Sequence, residues 1–159
     1  MYLRRQSMKI ALACDHGAFE HKEAIKQHLI KKGHQVEDFG THGLESMDYP
    51  DTVYPACCSV ADRSNDFGVV LCGTGIGASI VANKVKGVRC ALVYDPKVAE
   101  ITRLHNDTNV LALGGRLTTV AVALEIVDKW LNTGFSQEER HKARIDKICR
   151  IEETENDNE

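Results

Sequence analysis

The segment Cys72-Gly73-Thr74-Gly75-Ile76-Gly77-Ala78 joins a short apolar run to a helical pattern and puts a thiol beside three alternate glycines. Glycines at that spacing let backbone N–H groups turn toward an anionic oxygen, and a helix N-terminus adds positive potential there. Cys72 stands at the mouth of this cradle, where a helix N-terminus biases a thiol toward thiolate, so it is a candidate base or nucleophile. Two other readings stay open. Gly73-x-Gly75-x-x-Ala78 with Asp95, 20 residues beyond Gly75, satisfies a loose dinucleotide fingerprint. The loop is otherwise a tight turn with no ligand. For the other five cysteines a buried core role is expected.

Three smaller constellations accompany the loop. Asp15-His16 follows the first apolar run and offers an acid–base pair, or a capping residue beside a surface imidazole. His105-Asn106-Asp107 closes a helical pattern, where a cationic histidine is favoured by the helix dipole or where the segment is a plain C-cap. Arg140 and Arg144, four apart, share a helix face suited to bidentate grip of a phosphate, or form a solvated basic face.

The elements that must position these groups alternate. Met8 to Cys14 is apolar on both faces, as a strand covered on both sides is, and breaks at Asp15-His16-Gly17. A helix is expected from Phe19 to Lys32, stopped by Gly33. Gln35 to Phe39 reads as a second strand, followed by a polar functional loop from Gly40 to Tyr54 and a helix beginning around Pro55. The pattern repeats as strand 67–72, helix 76–85, strand 88–94, helix 96–105, strand 109–113 and helix 118–132. Asp95-Pro96 reads as a cap followed by a first-turn proline. One more amphipathic helix spans 136–151. Strands alternating with helices imply one doubly wound (Rossmann-like) α/β domain with five parallel strands, helices on both faces and a C-terminal helix. The expected strand order is 2-1-3-4-5, with ligand beyond the carboxyl ends of the strands. That rule gathers Asp15-His16, Cys72 to Gly77, Asp95 and Gly114-Gly115-Arg116 around one crevice.

Composition narrows the function classes. With 159 residues, 43% hydrophobic and 27% charged, the chain fits one soluble domain and has no apolar run of membrane-spanning length. The first seven residues have no apolar stretch behind their arginines and read as an extension, not a secretory signal. The net charge of −3 hides an acidic end: Glu152 to Glu159 hold five acids and no base, and without them the balance is +2, which Arg4 and Arg5 supply. Residues 8–151 are then formally neutral and carry no overall basic field for nucleic acid, so any phosphate chemistry must be local. Residues 152–159 are expected to be a disordered tail. The six cysteines form no Cys-x-x-Cys pair and no zinc spacing, which suits free thiols in a reducing cytoplasm.

Taken in order, Cys-Asp-His-Gly-Ala at 14–18, Asp48-Tyr49-Pro50, the 72–77 loop, Ala82-Asn83-Lys84, His105-Asn106-Asp107-Thr108-Asn109-Val110, Gly115-Arg116 and Arg140-His141-x-x-Arg144 resemble the type B ribose-5-phosphate isomerases of the ribose/galactose isomerase family. Each motif alone is weak; the ordered set, over residues 8–151, is specific. The resemblance implies an aldose–ketose isomerase of the pentose phosphate pathway that interconverts ribose 5-phosphate and ribulose 5-phosphate through a cis-enediolate, without metal or organic cofactor. It implies that Cys72 is the base, as the matching cysteine is in such enzymes; relatives that lack this cysteine carry glutamate where this chain has Ala78, so the chain resembles the cysteine subtype. It further implies His105 as the ring-opening acid with Asp15 sharing that proton, Gly73, Gly75, Ile76 and Gly77 holding the enediolate through N–H groups with help from Thr74, and Tyr49 beside the substrate. Phosphate falls to His16, Arg116, Arg140 and Arg144, and sugar hydroxyls to Asn106.

The same resemblance implies a homodimer, or dimers paired into a tetramer, in which His105 and the C-terminal arginines cross to the partner's glycine loop. Galactose-6-phosphate isomerase subunits share the fold but usually lack part of the Asp-His, His-Asn and paired-Arg set, so a pentose phosphate is expected. Allose 6-phosphate and galactose 6-phosphate stay open as substrates. From another class, a non-catalytic nucleotide-binding module stays open as well.

Overall fold

The computed structural model describes residues 6–156. Five strands, β1 (Lys9–Cys14), β2 (Gln35–Asp38), β3 (Phe67–Cys72), β4 (Cys90–Leu92) and β5 (Val110–Gly114), form one parallel sheet. Six helices accompany them: α1 (Phe19–Lys31), α2 (Pro50–Ala61), α3 (Ile76–Ala82), α4 (Pro96–Asn106), α5 (Val120–Leu131) and α6 (Glu139–Asn156). A single 3-10 turn, His16–Ala18, leads into α1. Side-chain alternation along the strands sorts the core into two layers. Ile10, Leu12, Val69, Leu71, Leu111 and Leu113 pack on one face with Ile25, Leu29, Ile126 and Trp130 of α1 and α5. Ala11, Ala13, Val70, Val110 and Ala112 face the other way, against Val53, Ala56 and Cys57 of α2 and Ala78 and Ala82 of α3. The small residues on that second face let α2 and α3 approach the sheet closely.

The strand order is β2-β1-β3-β5-β4, which corrects the expected 2-1-3-4-5 at its last two places. The reason lies in the strands themselves. Every residue of β5 is buried, whereas β4 has three residues, all only partly covered. The longer run that is apolar on both faces takes the interior place, and the short one becomes the edge.

Several boundaries also differ from expectation, α3 stopping at Ala82 instead of 85 and α6 starting at Glu139 instead of 136. The helix expected to begin near Pro55 begins at Pro50, because Pro50 takes the first helical position, where its missing N–H costs nothing, while Pro55 is carried inside. The strand expected over 88–94 contracts to Cys90–Leu92. The C-terminal helix continues to Asn156, so 152–156 are helical and not a disordered tail; 157–159 lie outside the described residues, as do 1–5 of the expected extension.

Beneath the first crossover, Lys22 is fully buried and its ammonium meets both oxygens of Asp38 at 2.7 and 2.8 Å and Glu23 at 2.9 Å. Asp38 also accepts the Gly40 N–H at 2.9 Å. Gly40 and Thr41 are in turn bonded to the Cys14 backbone, so the pair fixes the chain leaving β2 against the carboxyl end of β1.

Candidate active site

The carboxyl ends of β1, β3 and β5 meet at one edge of the sheet, and the backbone there is tied across strands. Gly115 N–H donates to the Cys72 carbonyl and Arg116 N–H to that of Gly73. A β-carbon on Gly114 would meet the Thr74 carbonyl at 2.5 Å, and one on Gly75, whose φ is +80°, would meet the Leu113 carbonyl carbon at 2.7 Å. These two glycines are required because the loop after β3 lies directly on the end of β5. Tyr94, just beyond β4, adds a bond from its hydroxyl to the Thr74 carbonyl at 2.7 Å.

Cys72 is 4% exposed, and its Sγ accepts the Gly75 N–H at 3.1 Å. Within the cradle two donors are already used, Gly75 by the sulfur and Ile76 by Thr74 Oγ1 at 3.2 Å. The N–H groups of Thr74, Gly77 and Ala78 have no acceptor among the described residues.

Other groups close around the thiol. Asp15 Oδ1 caps the turn by accepting the Gly17 N–H at 2.9 Å, and Gly17 packs against Gly73. The Arg116 side chain lies over Gly73, its Nη1 3.0 Å from where a β-carbon would stand. His16 Nδ1 accepts the Met47 N–H at 3.1 Å, which ties the loop before α2 to the crevice. Tyr49, at the start of α2, presses its ring on Gly77. So Asp15, His16, Tyr49, Cys72, Gly73, Thr74, Gly75, Ile76, Gly77 and Arg116 are brought together in one chain.

His105, Asn106, Arg140 and Arg144 are not. α4 runs back along the sheet, and the turn after it joins the amino end of β5, where Asn109 Oδ1 accepts the Arg89 N–H and Arg89 Nε donates to the Asn106 carbonyl. The five residues of β5 alone separate that end from Gly114 by about 13 Å. α6 starts beside the same end, with His141 stacked on His105. Arg140 donates to Glu138 at 2.7 Å, and both arginines are exposed. One chain thus carries the two halves of the expected residue set on opposite edges.

Asp95 is occupied otherwise than a dinucleotide would need. Its carboxylate caps α4, accepting the Lys97 and Val98 N–H groups, which takes the acidic residue out of the fingerprint. The core reading of the other cysteines holds for Cys14 and Cys57; Cys58 and Cys90 are only partly buried but pack against the same core, and the reading is corrected for Cys149, which stands partly exposed on α6. Burial pushes the Cys14 and Cys57 thiols up to about 12, and Cys90 higher still, so these stay protonated. All six cysteines are free thiols.

Sequence reasoning missed the residues that hold the His105 turn. Arg103 is buried, donates to Asp107 Oδ1 at 2.8 Å and to the Thr108 and Thr133 carbonyls, and stands over the rings of Phe67 and Trp130. Arg89 donates to the Asp107 carbonyl at 2.8 Å. No local pattern marks either residue, because their partners lie on other elements. Two cavities, of about 720 and 540 Å³, open toward the amino edge of the sheet, and the second includes Asn106. Among the described residues no group of three or more His, Cys, Asp or Glu could hold a metal ion, and no helix is long and apolar enough to cross a membrane.

Chemistry-bearing residues gathered at the carboxyl ends of β1, β3 and β5 place the chain among the open α/β enzymes, which bind small ligands beyond the carboxyl ends of their strands. Within that class the chain belongs to the ribose/galactose isomerase family, whose model matches residues 10–148. It is 42% identical over 148 residues to ribose-5-phosphate isomerase B of Escherichia coli, covering 93% of this chain and 99% of the relative. The solved structure of ribose-5-phosphate isomerase B from Clostridium thermocellum superposes with a TM-score of 0.90 at 46% identity, covering 92% of this chain and 99% of that one. That of the Mycoplasma genitalium enzyme with bound ribulose 5-phosphate superposes with a TM-score of 0.89 at 40% identity, covering 94% and 99%.

Proposed function

We propose that the protein is an aldose–ketose isomerase that interconverts ribose 5-phosphate and ribulose 5-phosphate. The observation that carries this reading is a buried thiol held by the Gly75 N–H, with Asp15, Tyr49 and Arg116 around it. Relatives at 40–46% identity that are named for this reaction support it, one of them solved with the ketose phosphate bound.

The chemistry is a proton shift between adjacent carbons. The Cys72 thiolate removes the proton on C2 of the open-chain aldose, and the electron pair moves through the new C1–C2 double bond onto O1. Preorganised N–H donors on that oxygen are the largest source of stabilisation for such an enediolate. The Thr74 and Gly77 N–H groups supply them. The proton of the O2 hydroxyl passes to O1, and the thiol returns its proton to C1, leaving a carbonyl at C2. Arg116 and His16 hold the phosphate from the same chain.

His105 opens the furanose ring, Asn106 binds sugar hydroxyls, and Arg140 and Arg144 complete the phosphate site, all from a second subunit. The separation of the two half-sets on opposite edges of one sheet supports an assembly of at least two copies, with the active site shared between them. Ribulose 5-phosphate formation from ribose 5-phosphate, followed in buffer with EDTA, tests the reading. Turnover is expected there, with allose 6-phosphate and galactose 6-phosphate at least tenfold poorer in kcat/KM, on the order of a 1.4 kcal/mol preference. No turnover of any of the three would overturn it.

A further inference from the structure

At the amino edge of the sheet the imidazoles of His105 and His141 lie nearly parallel, with planes 17° apart and centroids 4.3 Å apart. The two rings live in different surroundings. His105 is exposed, and no hydrogen bond to its ring exists among the described residues, although Arg103 and Arg89 pin the backbone around it. His141, in the first turn of α6, is 4% exposed, and its buried Nε2 has no hydrogen-bond partner. Glu138 Oε2, 3.9 Å away, is engaged by Arg140.

Burial, the neighbouring His105 and the Arg140 guanidinium lower the His141 basicity below the ordinary imidazole range, against the opposing pull of Glu138, and Arg144 adds to the lowering. The uncharged form of the ring is therefore the favoured one. A buried nitrogen without a partner is costly, so hydrogen bonding does not account for an imidazole at this position. What the ring does make is a flat, buried face against His105.

We propose that His141 is a positioning residue, whose buried ring fixes the plane of the His105 imidazole and so directs its nitrogens outward for ring opening. A side chain restrained only by solvent samples several rotamers. One packed against an immobile ring samples fewer, which is the pre-organisation that a proton-transfer group needs. The inference rests on the reading of His105 as the ring-opening group.

Two reactions of the intact enzyme separate the steps. Isomerisation of ribose 5-phosphate begins from a closed furanose. Exchange of the C1 hydrogens of ribulose 5-phosphate with deuterated water does not, because a ketone at C2 with O5 phosphorylated cannot form a five-membered ring. His141→Ala is expected to slow isomerisation by roughly 10- to 100-fold, the cost of a misplaced catalytic group, and to leave the exchange rate unchanged. His141→Phe, which keeps a flat ring, restores most of the loss, and His141→Leu, which fills the space without a plane, does not. His105→Ala shows the same split, and adding His141→Ala to it costs nothing more.

Equal losses in both reactions, or equal behaviour of the Phe and Leu variants, would overturn the proposal and leave His141 a packing residue. Full activity of His141→Ala alongside a clear split in His105→Ala would overturn it while sparing the ring-opening role. Absence of the split in His105→Ala would remove that role itself, and the proposal with it.

Discussion

The ring of Tyr49 occupies the space that a side chain on Gly77 would need: a β-carbon there would fall 2.7 Å from the tyrosine hydroxyl and 2.8 Å from Cε1. The contact joins the N-cap of α2 to the first turn of α3.

Gly77→Ala should therefore push Tyr49 off the loop. Overpacking at a tight contact costs about 1–3 kcal/mol, and a shift of the cradle's donors costs activity as well. The expected outcome is a lower melting temperature and a kcat/KM reduced by at least about tenfold, on the scale of 1.4 kcal/mol or more of lost transition-state stabilisation. Gly77→Ala in a Tyr49→Ala background should add little further loss of stability, since the clash is gone. Thermal melts of the four proteins measure this, and additive losses would refute the contact as the cause.

Arg116 across Gly73 makes a second test. Its guanidinium lies over Gly73; in the phosphate-binding role proposed for it, it offers two parallel N–H donors, a geometry that an ammonium cannot reproduce. Arg116→Lys is expected to raise KM for the sugar phosphate by about tenfold with kcat little changed, the signature of binding lost equally from ground and transition states. A fall in kcat at unchanged KM would assign Arg116 to the chemistry instead.

How far these features can be read from the chain depends on whether their causes are local. The glycine loop, Asp95 as the cap of α4 and the two-faced apolar strands follow from neighbouring residues, and each stands where the pattern placed it. The order of β4 and β5 depends on which strand fills the interior, a competition between distant segments. It is visible afterward in the three-residue length of β4 and the complete burial of β5. Pro55 argued for a helix start because proline usually does, yet Pro50 already supplied one. Arg103, Arg89 and the stack of His141 on His105 draw their roles from partners on other elements, which no spacing rule encodes.

Lys22 and Asp38 give a stability prediction. Burial would raise the Asp38 carboxyl, but the bonds from Lys22, Gly40 and Lys26 outweigh it and leave the group below the usual carboxylate range. A carboxyl depressed in the folded state contributes stability that is complete above its unfolded value, about 3.9. That contribution is lost as pH falls through the folded value. Asp38→Asn leaves the buried ammonium with Glu23 as its one remaining carboxylate partner and should cost roughly 3 kcal/mol at pH 7, the lower end for breaking a buried pair. The deficit should shrink as the wild type is acidified toward pH 3. Urea unfolding at pH 7, 5 and 3 measures it; a deficit constant across that range would exclude the Lys22–Asp38 pair as its source.

The opposite placement of Cys72 and His105 yields a prediction that depends on the assembly. Because β5 alone keeps the two ends about 13 Å apart, a shared site takes its thiol from one subunit and its imidazole from the other. Cys72→Ala and His105→Ala should each be strongly impaired as pure proteins. When the two are unfolded together and refolded as a mixture, a dimer holding one of each carries one site with both defects and one with neither. With random pairing, half the dimers are mixed and half of their sites are intact, so activity should return to roughly a quarter of the wild-type value for a symmetric two-site dimer. The recovery should scale with the fraction of mixed dimers, which a purification tag on one variant lets native mass spectrometry count. If refolded mixtures that contain such dimers stay as inactive as the parents, Cys72 and His105 do not serve one site from two subunits.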